Sequence, residues 1–226
     1  MTGKRLGAAA AAGLGVVVAV AAAAALGVFT HGHAASAIGA RADGVKVHGQ
    51  WTIVVRSKSG KVVSRHSFHN DFVPGTGGAA FSSILSGGSV AGDWLVDISG
   101  SGCSSPAVAQ VNTCELFEPD AIASFDATFD TRNLTVTVPT SGSDVSKIVL
   151  VGTVPAVSTG TISVVKSSLQ VCPTSAPAGA DCSQGHGIPN VGYKEITSRD
   201  LSVPPSSPIS VLSGQSISVT VKISFS

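Results

Sequence analysis

Charge is scarce in this sequence. Only 12% of its 226 residues are Asp, Glu, Lys or Arg, and the formal net charge is +1. A general nucleic-acid binder needs a dense basic surface, and a disordered chain needs solvating charge, so neither class fits. Aromatic residues are equally sparse at 5%, with one Tyr and two Trp. An outer-membrane barrel carries girdles of such residues and closes on a terminal aromatic, which excludes that class. Zinc-knuckle spacing between cysteines is missing, as is an EF-hand loop. No serine lies in a G-x-S-x-G elbow, and "PGTGG" at 74–78 lacks the Gly-Lys-Ser/Thr of a phosphate cradle. No catalytic residue, cofactor or metal is therefore expected.

What is present is apolar and β-prone. Apolar residues make up 43%, with Val, Ser, Thr and Gly prominent, a composition of strands more than of helices. The first 37 residues stand apart. Lys4 and Arg5 precede an uncharged run from Leu6 to Phe29, and small residues follow to Ala35-Ser36-Ala37. This is the layout of a secretory signal, yet the run is long enough to cross a bilayer as an uncleaved anchor. Both alternatives stay open, and both put residues 38–226 outside the cell, secreted or held at the surface through the membrane segment.

Export dictates how the four cysteines are read. Cys103 and Cys114 bracket one short stretch and Cys172 and Cys182 another. Three connectivities are possible in an oxidising compartment; sequence proximity favours disulfides 103–114 and 172–182, each closing a loop of about a dozen residues and worth about 3 kcal/mol.

Periodicity then assigns the fold. "VHGQWTIVVRSKSGKVVSRHSF" reads as a hairpin with Val47, Trp51, Ile53 and Val55 on one face. "VPGTGGAAFSSILSGGS" breaks that pattern: Ala80, Phe81, Ile84 and Leu85 recur at helical spacing, with Thr76 placed to cap a short helix and Gly87-Gly88 to stop it. Further strands follow in "DWLVDIS", "IASFDATFD", "NLTVTVP", "KIVLVG", "TGTISVVKSSLQV" and "YKEITSRDLSV". "KIVLVG", apolar on both faces, reads as a central strand. The final "SISVTVKISFS" alternates strictly, and "LSGQS" before it reads as a hairpin turn from "ISVL". Nine to eleven strands, a single domain over 38–226 and an all-β antiparallel sandwich of immunoglobulin-like or jelly-roll-like type, with one short helix behind a hydrophobic leader helix, are expected.

The charges that exist are segregated. Between Arg41 and Arg65 lie six basic residues and one acid; from His66 to Thr131 there is no Lys or Arg against eight acids. Arg56, Lys58 and Lys61, together with Phe225 at the end of the last strand, are the candidate assembly contacts. Neighbouring copies would meet basic face to acidic face; balance within one domain is the plainer alternative. His66, His69 and Asp71 form a polar cluster lacking a marked third ligand; His186 stands in a glycine-bearing loop. Glu118 with Asp120 and Asp126 with Asp130 are acid pairs of the kind common on surfaces, and Asn133-Leu134-Thr135 has the form of a glycosylation sequon.

In the order of "GQWTIVVRSKSGKVVSRHSFHNDF", "GTGGAAFSSILSGG", "DWLVDISG" and "GQSISVTVKISFS", most of the exported part is similar to phage-associated, virion or tail β-sandwich proteins. The leader departs from that pattern. The resemblance implies a structural role with no transferable site residue, in contact with like copies or other surface or virion proteins. The leading expectation is a non-catalytic exported surface or assembly subunit, able to form a filament or virion-like layer. The alternative is an extracellular carbohydrate- or ligand-binding module using Trp51 or Trp94 as an aromatic platform.

Overall fold

Ten residues of alternating character, Val47–Arg56, pair along their whole length with ten more at the other end of the sequence, Ser216–Phe225. The computed structural model describes residues 46–104, 113–119, 130–176, 182 and 192–226; the leader and the stretch "IASFDATFD" up to Phe129 lie outside them. In chain order the strands are β1 (Val47–Arg56), β2 (Val62–Phe72), β3 (Val90–Ser99), β4 (Thr113–Phe117), β5 (Asp130–Thr131) and β6 (Thr135–Thr137). They continue with β7 (Ile148–Pro155), β8 (Gly160–Ile162), β9 (Val164–Cys172), β10 (Tyr193–Asp200), β11 (Ile209–Val211) and β12 (Ser216–Phe225). One helix, α1 (Thr76–Leu85), follows β2. The fold is all-β.

Ten strands form one sheet in the order β5-β4-β3-β9-β10-β2-β1-β12-β7-β6, and β11 pairs with β8 in a second, small sheet. Every pairing is antiparallel except β4 with β5. Trp51, Ile53 and Val55 of β1 stand opposite Val221, Val219 and Ile217 of β12, and all six are buried in one core with Val96, Leu116, Leu150, Val165 and Ile196. Residues from both halves of the sheet share this core, so the sheet curls over its own apolar face.

The curl is joined at residues 130–137. Asp130 and Thr131 pair with Glu115 and Leu116 of β4 at one end of the sheet; Thr135 to Thr137 pair with Val151 to Val149 of β7 at the other. Between them Leu134 N–H donates to the Phe117 carbonyl at 2.9 Å. The Asn133 side chain donates to the Thr153 carbonyl at 2.7 Å and accepts from the Thr153 N–H at 3.3 Å. The sequon asparagine, between β5 and β6, thus holds the seam to β7 through its side chain.

Both disulfides are those expected, Cys103–Cys114 and Cys172–Cys182. The first ties the 3₁₀ turn Ser101–Cys103 after β3 to β4; the second holds residue 182 to the end of β9, where Cys182 N–H donates to Gln170. Chain segments too short to bury much surface are fixed covalently. Gly100 (φ 146°) precedes the 3₁₀ turn; a Cβ there would collide with the Thr161 carbonyl, so no side chain fits.

Several local expectations meet corrections. Thr76 does not cap α1: Gly75 holds the cap position, and the Thr76 hydroxyl donates instead to the Glu195 carbonyl on β10 at 2.7 Å. The stop signal is right. Gly88 N–H bonds Ser83 and Gly87 N–H bonds Ile84, with Gly87 at φ 73°, a Schellman ending. β11 does not form a hairpin with β12; it pairs with β8, while β12 lies between β1 and β7. "KIVLVG" is next to the end of the large sheet, covered outside only by three-residue β6, and Val151 is accordingly exposed. "TGTISVVKSSLQV" splits at Ser163, whose N–H goes to Ser99 and whose carbonyl takes Leu201 N–H.

Replacing Asn133 with Ala removes both seam bonds. The expected loss is roughly 1–3 kcal/mol, read as a lower urea midpoint with an unchanged slope; Asn133→Asp, which keeps only the acceptor, falls between.

Candidate functional site at two poles of the first hairpin

The β1–β2 hairpin runs the length of the domain. Its ten-residue first strand spans about 30 Å at ~3.3 Å per residue, and its two ends differ in chemistry. At one end lie the start of β1, the end of β2 and the end of β12. Here Val47, Phe72, Phe81, Leu85 and Phe225, with Gly78 and Ser82, line an apolar groove of about 620 Å³. Helix α1 forms one wall. Phe72 stacks on Phe81 at 6.2 Å, and Phe225 meets Phe81 edge-on at 5.6 Å. Leu85 is 80% exposed and Phe225 41%.

Phe225 belongs by parity to the buried face of β12, after Ile217, Val219, Val221 and Ile223. It lies just past the point where the core ends, so the apolar row continues out of the sheet to the helix. The alternation in the sequence marked this residue; the groove itself was missed, because it depends on α1 folding back beside two strand ends. No residue of α1 carries a charge, so the helix wall of the opening is uncharged.

At the other end is the turn between β1 and β2. Arg56 donates to the Gly60 carbonyl at 3.2 Å, Lys58 lies over Gly214, and Lys61 is exposed. None of the three forms an ion pair among the described residues. Val62 and Val63, beside Lys61, are about half exposed. The structure therefore brings the three basic candidates together and places Phe225 at the opposite pole.

The acids do not make one free face. Asp93 is wholly buried, Glu118 accepts the Trp94 N–H at 2.7 Å, and Asp120 and Asp126 lie outside the described residues. Asp71, 83% exposed, pairs with Arg199 at 3.4 Å beside the groove pole. Asp97 and Glu115 are cross-strand partners on β3 and β4. Lys166 of β9 is opposite Asp97 and Asp130 of β5 opposite Glu115. Burial first, then the charge of Asp97 and a hydrogen bond with it, raise the Glu115 carboxyl from 4.5 to about 7.

His66 and His69 border a second cleft, of about 440 Å³, with Arg199 and Ser206 across it; His31, His33 and His186 lie outside the described residues. Trp51 and Trp94 are both buried, Trp51 stacked on Phe68 at 6.3 Å. Neither ring can serve as a platform for sugar. The chain matches no protein-family model, no curated protein and no solved structure.

Glu115 gives a test by pH. The folded chain holds this proton up to about pH 7 and the unfolded chain only to about 4.5, so the folded state binds more protons between those values. Stability falls as pH rises through that window. Glu115→Gln should flatten the slope, gaining on the order of 1–2 kcal/mol at pH 8 after solvent screening and little at pH 4. Chemical unfolding at the two pH values checks it.

Proposed function

We propose that this chain is a non-catalytic exported surface subunit that assembles head to tail with copies of itself. The carrying observation is the uncharged apolar groove at one pole of a domain whose other pole is basic. A groove holding an 80% exposed leucine and a 41% exposed phenylalanine gains free energy when a partner excludes water from it. The opposite pole offers a matching occupant, with Val62 and Val63 as apolar contacts flanked by Arg56, Lys58 and Lys61. Neither α1 nor β3 carries a basic residue; Lys46 is on the rim, and Asp71, paired with Arg199, stands beside the groove. Joining unlike surfaces of one chain is a heterologous contact, which propagates into a ring or an open filament.

The fold supports this reading. We read the curled sheet as a sandwich of two five-stranded layers, β5-β4-β3-β9-β10 and β2-β1-β12-β7-β6. They are joined by only two residue pairs between β10 and β2, Thr197 with Phe72 and Ser198 with Asp71. Two disulfides suit an oxidising space outside the cell. Such a covalently stapled, low-charge shell is a building block that survives there, and the leader expected over 1–37 is what would deliver it.

Sedimentation of the exported protein over a range of concentrations tests the assignment. Leu85→Glu should abolish association while changing monomer stability by less than about 0.5 kcal/mol, since the side chain is already exposed. Replacing Arg56, Lys58 and Lys61 together with Glu should weaken association most at low salt, where the ionic contribution is least screened. Assembly unaffected by either change removes the proposal.

A further inference from the structure

Among the described residues, no strand pairs with the outer side of β2 before Asp71. Lys46 and Ser226 exchange both backbone bonds, at 2.7 and 3.0 Å. Antiparallel ladders alternate, so the even residues of β1 bond to β12 and the odd ones turn to β2. Trp51 faces Phe68 and Ile53 faces His66; hence the even residues of β2 serve β1, and its odd residues turn their N–H and C=O outward. Asp71 finds Ser198 of β10 there, and Val73 N–H bonds the Ile196 carbonyl at 3.0 Å. Arg65, Ser67 and His69 find no such partner among the described residues, because β10 has diverged from β2. In place of a strand is the 440 Å³ cleft, with Ser67, Phe68 and His69 on one wall and Arg199, Pro205 and Ser206 on the other.

We propose that this cleft takes residues 38–45 of a second copy as an added strand, antiparallel to β2. The inference rests on the head-to-tail reading and names a further contact within it. The last strand is not available as a donor, being held between β1 and β7. The chain preceding the described residues is 45 residues long and joins at Lys46, on the rim of the apolar groove. Head-to-tail stacking sets that rim against the Val62 end of the neighbouring β2. From there eight residues reach about 26 Å, whereas Arg65 to His69 spans about 13 Å. The sequence Ile38-Gly39-Ala40-Arg41-Ala42-Asp43 suits a confined strand. It has no proline, its side chains are mostly small, and Ile38, Ala40 and Ala42 alternate with Arg41 and Asp43. An antiparallel run also brings Asp43 to the Arg65 end.

The test uses the full chain as the cell exports it. Ser67→Pro deletes an outward N–H without touching the β1 ladder and should weaken association at least about tenfold by sedimentation. Ser67→Ala, which loses only the hydroxyl bonded to Thr52 at 3.2 Å, should assemble like the parent. Ala42→Pro on the donor side lies outside β2 and should weaken association equally. In the assembled parent, the amides of Arg65, Ser67 and His69 should exchange at least about tenfold more slowly than in dilute monomer. Wild-type-like assembly of both proline variants, or an assembly in which those amides exchange freely, overturns the inference. If Leu85→Glu still dissociates that assembly, the pole contact stands without the strand. A parent chain that stays monomeric overturns both.

Discussion

The pairing of the first strand with the last is the constraint on which the structure depends. Ten successive pairs put Trp51, Ile53 and Val55 against Val221, Val219 and Ile217, and one residue of slippage would turn every one of those side chains to water. Burying several large apolar groups is worth several kcal/mol, which pins the register far more firmly than the hydrogen bonds alone. The same register decides which backbone groups of β1 face β2, and so which groups of β2 face outward. Core burial and the vacant edge are two consequences of one alternation.

The alternation of residues 216–225 was legible because it records a local property, one face wet and one dry. So was the end of α1: a Schellman motif needs a positive φ at one position, and Gly87 supplies it within six residues of sequence. Cysteine pairs separated by ten or eleven residues were legible for a similar reason, since short closures form readily. What failed was partner choice. "LSGQS" does turn the chain at Gly214, but a turn specifies a reversal and not a pairing; β11 is drawn to β8, where Ile209 and Ile162 are both buried. Thr76 illustrates the same limit on a smaller scale. Its hydroxyl could satisfy its own helix or the Glu195 carbonyl, and only the arrival of β10 decides.

The candidate site divides along that line too. Arg56, Lys58 and Lys61 are close in sequence and come together on one turn. Phe225 could be marked as apolar and terminal, but its partners Phe72 and Phe81 come from elements more than a hundred residues away. The acids misled because sequence position carries no burial: Asp93 is enclosed, and Glu115 is pressed against Asp97 across two strands. The openness of β2 was the least legible feature, as it arises from what a different strand fails to do. Nothing within 62–72 announces that β10 will leave after two pairs.

That divergence follows from closing the sheet. A curled sheet can share one core between its halves only if its strands splay somewhere, and the two-pair link between β10 and β2 is where they do. At the opposite junction, residues 130–137 bridge the ends with paired backbone and the Asn133 side chain, so the bending is concentrated at β2. An open edge is ordinarily guarded by charge, and Arg65 and Asp71 provide some along it. Yet beside it lies a cleft of about 440 Å³, and the sequence that precedes the described residues joins them at Lys46, at the apolar pole. A domain that must fold around one buried face is thereby left, among its described residues, with two open features, an apolar groove at the helix and an unpaired edge along β2. The proposed head-to-tail contact would cover both.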